Sequence, residues 1–435
     1  MKNERLIRIG VLGAGVVGSG VIDTIATKTD FFNESLGHSL QIAKVLVKDP
    51  KKKRDNIPSG VTITTDASDI IDDNNIDIIV ELIGGEHPAL EYIERSLTSG
   101  KSVVSANKEV IAKHGSHLFS LARENNVLLL FEASVGGGIP IIGPLINDLN
   151  ANQIQSIRAI INGTTNYILT KMTNEQVQFT NVLKDAQALG YAESDPTNDV
   201  EGIDAAYKLA ILTNLAFGSN ITDREVYREG ITKLTPNDFK YAKELGYTIK
   251  LIAISKLIDN KLEVRVHPSF IPIEESLAKI DGVLNAVEIN GDLAGRVLFQ
   301  GSGAGSLPTT SSVVSNILEV CHRISSDHMA DTLNPGNNGF EIKSINDVIT
   351  KYYIRVNVTD KPGVMGQIST ILGGLEISIA SVIQKESDPH ENTAELVIIT
   401  HPSLHQDILT AIKNLEQLES INEIGNVIII EEQDN

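Results

Sequence analysis

The chain has 435 residues, 41% of them apolar and 21% charged, with 56 acidic against 37 basic side chains and a net charge of −19. At the usual ~100–200 residues per domain this length implies about three domains, and the acidity argues against a polyanion partner such as DNA or RNA. One cysteine, Cys321, excludes an internal disulfide framework and a cysteine-rich zinc site and fits a reducing compartment. No apolar run approaches the ~18 residues of a membrane span. The start, Met1 to Arg5 followed at once by a strand-like run, lacks the apolar core of a signal peptide. A cytoplasmic protein with neither nucleic-acid nor membrane partners is expected.

Residues 5–130 alternate short apolar runs with helical patterns, which predicts an α/β domain with a parallel sheet and crossover helices. The strands read as Ile7–Leu12, Ile42–Val47, Ile76–Leu82, Ser102–Ser105 and Val127–Phe131, with Asn33–Ser39 as an insertion and Lys51–Arg54 as a solvated basic loop. After residue 131 the pattern changes to an inserted α+β domain. Its helices are expected over 139–150, 164–172, 175–188, 200–217 and 238–255, and its strands over 154–161, 262–272 and 284–290. A Gly loop at 301–305 then feeds a helix, 309–324, that returns to the first domain. Residues 328–350 read as a linker. The last 85 residues, 351–435, read as a separate βαββαβ unit of ferredoxin-like order. The domains are thus 1–131, completed by 301–327, then 132–300, the linker 328–350, and 351–435.

Gly13-Ala14-Gly15-Val16-Val17-Gly18 follows the first strand and opens a helix. In a Rossmann-type fold such glycines let a pyrophosphate approach the helix N-terminus, where free N–H groups favour an anion. Asp49 at the end of the second strand suits a ribose 2′-hydroxyl and Lys48 a 2′-phosphate. NAD and NADP both remain open, with Lys48 favouring NADP. Gly84-Gly85 and Ser105-Ala106-Asn107-Lys108 follow strands and should face the cofactor. Lys108 could reach the nicotinamide or the reacting carbonyl, or be a surface lysine at a helix start. In Glu132–Pro140 three glycines free carbonyl oxygens that suit a hard cation, or simply make a tight turn.

The carboxylates Glu193, Asp195, Asp199, Glu201 and Asp204 end in Lys208, four residues after Asp204. On a helix that spacing places acid and base on one face in the favourable order. A lysine between acids and apolar residues can have its acidity tuned for proton transfer. The acids would hold a substrate ammonium; a solvated acidic loop is the alternative. Thr164 touches ligand or caps a helix. Cys321, in an apolar helical pattern, reads as packed, and His114 and His117 lack a third ligand nearby. Together these features point to a dehydrogenase of a small zwitterion.

Seven motifs occur in the order found in homoserine dehydrogenases, and the chain resembles that family over residues 5–326. They are Gly13–Gly18, Ser105–Lys108, Glu132–Pro140, Asn162–Tyr167, Leu189–Glu193, Asp199–Lys208 and Gly301–Gly305. The tail, with Asp360-Lys361-Pro362-Gly363-Val364, is similar to an ACT regulatory domain. The resemblance implies NAD(P)H-dependent reduction of L-aspartate 4-semialdehyde to L-homoserine, on the route to threonine and methionine. It implies Lys208 as the acid/base and Lys108 as a second catalytic lysine. Glu193 and Asp204 would hold the amino acid, supported by Asp199, with Gly163 and Thr164 beside it. Gly305 would contact the cofactor. Glu132 with the backbone oxygens of Val135, Gly137 and Ile139 would bind a monovalent cation, Na or K. Gln300-Gly301-Ser302-Gly303 departs from the Tyr-Gly-Arg/Lys-Gly of many bacterial relatives, which questions a basic cofactor contact there.

The middle domain would serve catalysis and dimerisation, and the ACT unit would bind an effector such as threonine in a homodimer or homotetramer. A chain ending near Ser344 is then expected to keep activity and lose effector response. A nucleotide-bound amino-acid sensor would need neither Lys108 nor Lys208, and an amine-oxidising amino-acid dehydrogenase would release ammonia.

Overall fold

The computed structural model describes residues 5–54, 57–326, 338–388 and 392–432. Met1–Glu4 and residues 328–337 of the expected linker lie outside the described residues. The chain first runs β1 (Leu6–Leu12), α1 (Val16–Thr27), α2 (Thr29–Leu36), β2 (Ser39–Leu46), β3 (Thr62–Thr64), α3 (Ser68–Ile71), β4 (Ile78–Glu81), α4 (Ala89–Thr98), β5 (Ser102–Ser105), α5 (Lys108–Glu124) and β6 (Leu129–Leu130). These strands form one six-stranded sheet in the order β3-β2-β1-β4-β5-β6. Every pair is parallel, the doubly wound arrangement that opens a crevice between β1 and β4.

The expected insertion at Asn33–Ser39 is instead mostly the end of α2. Phe32 and Leu36, one turn apart, enter the core, and Gly37 (φ 67°) ends the helix in the left-handed conformation. The helix expected over 139–150 is reduced to a single π turn, Pro144–Asp148. Pro140 and Pro144 cannot donate the N–H groups that a continuous helix needs.

The chain continues with β7 (Ile154–Ile160), α6 (Gly163–Glu175), α7 (Phe179–Ala188), α8 (Thr197–Val200), α9 (Ile203–Phe217), β8 (Tyr227–Arg228), α10 (Pro236–Glu244), β9 (Tyr247–Ile258), β10 (Lys261–Pro272), β11 (Leu284–Gly291), β12 (Gly295–Ser302) and α11 (Ser306–Ser326). The expected helix 238–255 is therefore a helix and a strand. Gly246 (φ 83°) turns the chain, and the following Thr248, Ile249, Ile252 and Ile254 favour β structure through their branched side chains. β12 went unforeseen because its Gly301 was read as loop.

The tail comprises β13 (Glu341–Ile342), β14 (Ile349–Thr359), α12 (Val364–Gly374), β15 (Ile379–Asp388), β16 (Thr393–Thr400), β17 (Ser403–Leu404), α13 (His405–Leu415) and β18 (Ile421–Ile430). The expected βαββαβ order is present, with the antiparallel sheet order β18-β14-β16-β15. The expected linker is not free of structure. β13 pairs with β10, and β14 begins at Ile349.

Two compact units emerge. Among the described residues, one takes in those within 5–155, 207–224 and 285–339, the other those within 156–206, 225–284 and 340–432. In the first, Ile7, Ile9 and Val11 of β1 pack with Val21 and Ile22 of α1 and with Val313, Ile317 and Cys321 of α11. Helix α11 thus returns to the first sheet. Burial pushes the Cys321 thiol up to about 12, so it is a packed residue rather than a nucleophile.

In the second unit the tail sheet continues the sheet of β9 and β10, because β10 pairs in parallel with β18 through Ser269 and Phe270. Buried ionic groups reinforce that junction. Arg265 of β10 donates to Glu431, just past β18, and to His267 Nε2 at 2.6 Å, with Glu263 3.6 Å away. Asp238, fully buried in the capping box of α10, accepts from Arg355 Nε at 2.8 Å and from the Tyr353 hydroxyl at 3.2 Å.

Candidate active site

A cleft of about 460 Å³ opens at the carboxyl ends of β1, β2 and β4, lined among others by Gly13, Ala14, Gly15, Lys48, Arg54 and Gly84. Gly15 is the N-cap of α1 and offers no side-chain cap, so the first N–H groups of that helix are left for an anion. Gly13 has φ 106°, and a Cβ on Gly18 would lie 2.1 Å from the Gly13 carbonyl oxygen, so both positions require glycine. Val16 is 74% exposed at the loop crest and Val17 is half-buried behind it. Gly305 (φ 113°) opens α11, and the Ser306 hydroxyl donates to the Val16 carbonyl at 3.2 Å. The loops at Gly13–Gly18 and Gly305 are thereby brought together.

Lys48 is exposed at the cleft. Arg54, expected to be part of a solvated loop, lines the same cleft. Its guanidinium donates to the carbonyls of Asp49 and Lys52 at 2.9 Å each, which curls the loop back. Ser105 is buried, and its hydroxyl donates to Glu81 at 2.7 Å, which leaves its backbone for any cofactor contact. Lys108 is the first residue of α5 and half-buried. Asn107 caps that helix by accepting from Val110 N–H at 3.2 Å.

The Gly136–Gly138 turn packs against the strand leading to α11. Gly136 and Gly137 have φ of 73° and 56°, and a Cβ on Gly137 would lie 2.4 Å from the Gly303 carbonyl oxygen. The Glu132 carboxylate accepts from the N–H groups of Ile141, Ile142 and Gly143 at 2.6, 2.8 and 2.7 Å. A carboxylate has about four acceptor positions, so little of it remains for an ion. Val135 and Ile139 are buried, and the Gly137 carbonyl accepts from Ser312 at 2.7 Å.

In the second unit, Asn162 organises the acidic stretch. Its amide donates to Asp199 at 2.6 Å and to Asp204 at 2.9 Å, while its oxygen accepts from Thr165 N–H at 2.9 Å and caps α6. Thr164 is therefore not the cap; its hydroxyl donates to the Tyr191 carbonyl at 2.6 Å. Gly163 is the first residue of α6. Asp204 is 4% exposed and Asp199 half-buried, so neither belongs to a solvated loop; Glu193 is exposed. Helix α9 carries Asp204, counted with the second unit, in its first turn and Lys208, counted with the first and 8% exposed, one turn later. Leu209 and Leu212, fully buried, continue it into the core.

Sequence reasoning missed Arg54 and Glu81, and it named Asn162 only within a motif, without its hold on Asp199 and Asp204. Asn162 and Glu81 had signals: an Asn three residues before Thr165 at a helix start, and one carboxylate in the otherwise apolar run 78–83. Arg54 had none, because a basic run is ordinarily solvated. Among the described residues no three or more His, Cys, Asp or Glu side chains group to hold a metal ion, and no helix is long and apolar enough to cross a membrane.

The sheet order, the glycine loop and the cleft at the switch point define a dinucleotide-binding oxidoreductase fold. The family model of homoserine dehydrogenase matches residues 140–318, that of its NAD-binding domain residues 13–132, and that of the ACT domain residues 352–420. The homoserine dehydrogenase of Neisseria gonorrhoeae is 40% identical, with 98% of each chain covered; that of Bacillus subtilis is 39% identical, covering 98% of this chain and 99% of its own. The solved structure of a homoserine dehydrogenase from Thiobacillus denitrificans superposes with a TM-score of 0.93 at 38% identity over 99% of both chains. A hyperthermophilic archaeal homoserine dehydrogenase in complex with NADPH gives 0.63 at 28% identity, over 72% of this chain and 97% of its own. The chain belongs to the homoserine dehydrogenase family, NAD(P)-dependent oxidoreductases acting on a CH–OH group.

Proposed function

We propose that this enzyme reduces L-aspartate 4-semialdehyde to L-homoserine with NADPH, under feedback through its ACT domain. The observation that carries the reading is the helix α9, which places a nearly buried Asp204, tied to Asp199 by Asn162, one turn before a buried lysine. Asp204 and Glu193 hold the substrate ammonium and Asp199 steadies Asp204. Lys208 gives a proton to the carbonyl oxygen as it becomes an alkoxide, and Lys108 holds the charge near that oxygen. When bound, the nicotinamide supplies the hydride. Initial rates of NADPH loss with the semialdehyde, with homoserine formed mole for mole, test this. Ammonia release from amino acids instead would favour an amine-oxidising enzyme.

Lys48 and Arg54, two cations at the cleft beyond β2, support a 2′-phosphate and hence NADP over NAD. Alanine at both is expected to raise the KM for NADPH about tenfold or more, on the scale of ~1.5–3 kcal/mol per charged hydrogen bond. The KM for NADH should stay unchanged. Equal effects on the two cofactors would remove the preference.

A monovalent cation, Na or K, is the proposed ligand of the backbone oxygens of Val135, Gly137 and Ile139, since Glu132 already accepts from three N–H groups. The Asn285 side chain supports this. It is 1% exposed, has no hydrogen-bond partner among the described residues, and lies against Gly303, which packs on Gly137. Threonine is the proposed ACT effector, a homodimer or homotetramer the proposed assembly, and the cytoplasm the proposed compartment.

A further inference from the structure

We propose that Glu81 is a positioning residue for hydride transfer, locking the cofactor loop after β4 and the lysine-bearing loop after β5 into one register. This rests on the role of Lys108 given above. Glu81 ends a strand whose other residues, Ile78, Ile79 and Val80, are fully buried, and it is itself 0% exposed. A carboxyl group so placed is costly unless its acceptor positions are filled. One oxygen accepts from the N–H groups of Ile83 at 2.8 Å and Gly84 at 3.4 Å, and the other from the Ser105 hydroxyl at 2.7 Å. Ser105 in turn accepts from Asn107 N–H at 3.0 Å, and the Asn107 amide donates to the Gly85 carbonyl at 2.7 Å.

These bonds close a ring from Glu81 through Gly84, Gly85, Asn107 and Ser105 back to Glu81. Ile83 and Gly84 line the dinucleotide cleft. Asn107 caps the helix whose first residue is Lys108. The ring therefore joins the wall that meets the cofactor to the residue that starts the catalytic helix. None of the donors is a lysine or arginine, and burial pushes the Glu81 carboxyl up from its ordinary value. A purely structural staple between β4 and β5 could be apolar. A carboxyl group is needed because loop N–H groups and a hydroxyl converge on it from two strand ends.

Two full-length variants test this. In Glu81→Gln the amide can accept from Ile83 and Gly84 at one end only, and its NH₂ end meets Ser105 without accepting the hydroxyl proton. Ser105→Ala breaks the same bridge from the other side. Both are expected to lower kcat roughly 10- to 100-fold, the scale of an ~1 Å misplacement. The Kd for NADPH, from quenching of its fluorescence, should stay within about threefold, and the double variant should be no worse than either single one. Lower melting temperatures with unchanged kcat, or additive losses, would make Glu81 a staple only and overturn the proposal. The two possible failures separate. Absence of wild-type turnover with the semialdehyde removes the functional reading and this role with it, whereas wild-type kcat retained in both variants removes the role alone.

Discussion

Replacing Lys208 by alanine is expected to cut turnover by about 10²- to 10⁴-fold, the usual contribution of a positioned general acid, while the Kd for NADPH stays unchanged. The reason is local. Lys208 is 8% exposed on α9, one turn beyond Asp204 and surrounded along the helix by Ala205, Leu209 and Leu212. An ammonium there can give its proton to a developing alkoxide and regain one from solvent. Lys208→Arg should be nearly as inactive, because a guanidinium keeps its protons at any accessible pH. Single-turnover rates at saturating NADPH, beside a cofactor titration, check both variants. Turnover equal to wild type in Lys208→Ala would remove this residue from the chemistry.

The second large effect concerns stability. Glu431→Ala is expected to destabilise the unit containing the ACT fold by about 3 kcal/mol, the low end for breaking a buried pair, because Arg265 stays buried with only Glu263, 3.6 Å away, as its carboxylate. The same geometry alters the outcome expected for a chain ending near Ser344. Such a chain loses β18 from the edge of β10 and removes Arg355 from Asp238. It also uncovers Phe270, whose ring centroid lies 4.5 Å from that of Tyr353. Aggregation, rather than an active and unregulated enzyme, is the expected result, and light scattering on purification reads it.

The junction also makes stability depend on pH. Burial favours protonation of Glu431, but Arg265 and Lys256 outweigh it and hold the carboxyl at about 2, below its ordinary 4.5. That contribution is complete above pH 4.5 and is lost as pH falls towards 2. Burial and the adjacent Arg265 hold His267 at about 4, below 6.5, so it stays neutral in the fold. Its contribution is complete above pH 6.5 and is lost as pH falls towards 4. Each shift corresponds to roughly 3 kcal/mol. Melting temperature should therefore fall in two stages below pH 6.5, and Glu431→Gln should remove the lower one.

The parallel sheet and the ACT unit were legible because their strands are short apolar runs bounded by glycine or charge, and because the glycine loop begins directly after β1. The middle of the chain was harder. Residues 238–255 hold both a helix and a strand, and only Gly246 marks the change. The acids and Lys208 were visible as a cluster, yet Asn162, which binds two of those acids, lies about 40 residues earlier, and its place before a helix start signals a cap rather than the acids it holds. Arg54 is of the same kind. Its side chain reaches the cleft because the loop folds back on Asp49, a tertiary event with no periodic signature.

In the proposed reaction Asp204 and its neighbours grip an ammonium while Lys208 serves the aldehyde oxygen of the same molecule. Comparing kcat/KM for L-aspartate 4-semialdehyde with that for succinate semialdehyde, which has the aldehyde and carboxylate but no amine, tests this directly. The expected discrimination is about 10⁴-fold or more, because the analogue offers the nearly buried Asp204 no ammonium to pair with. Equal rates with the two aldehydes would contradict it.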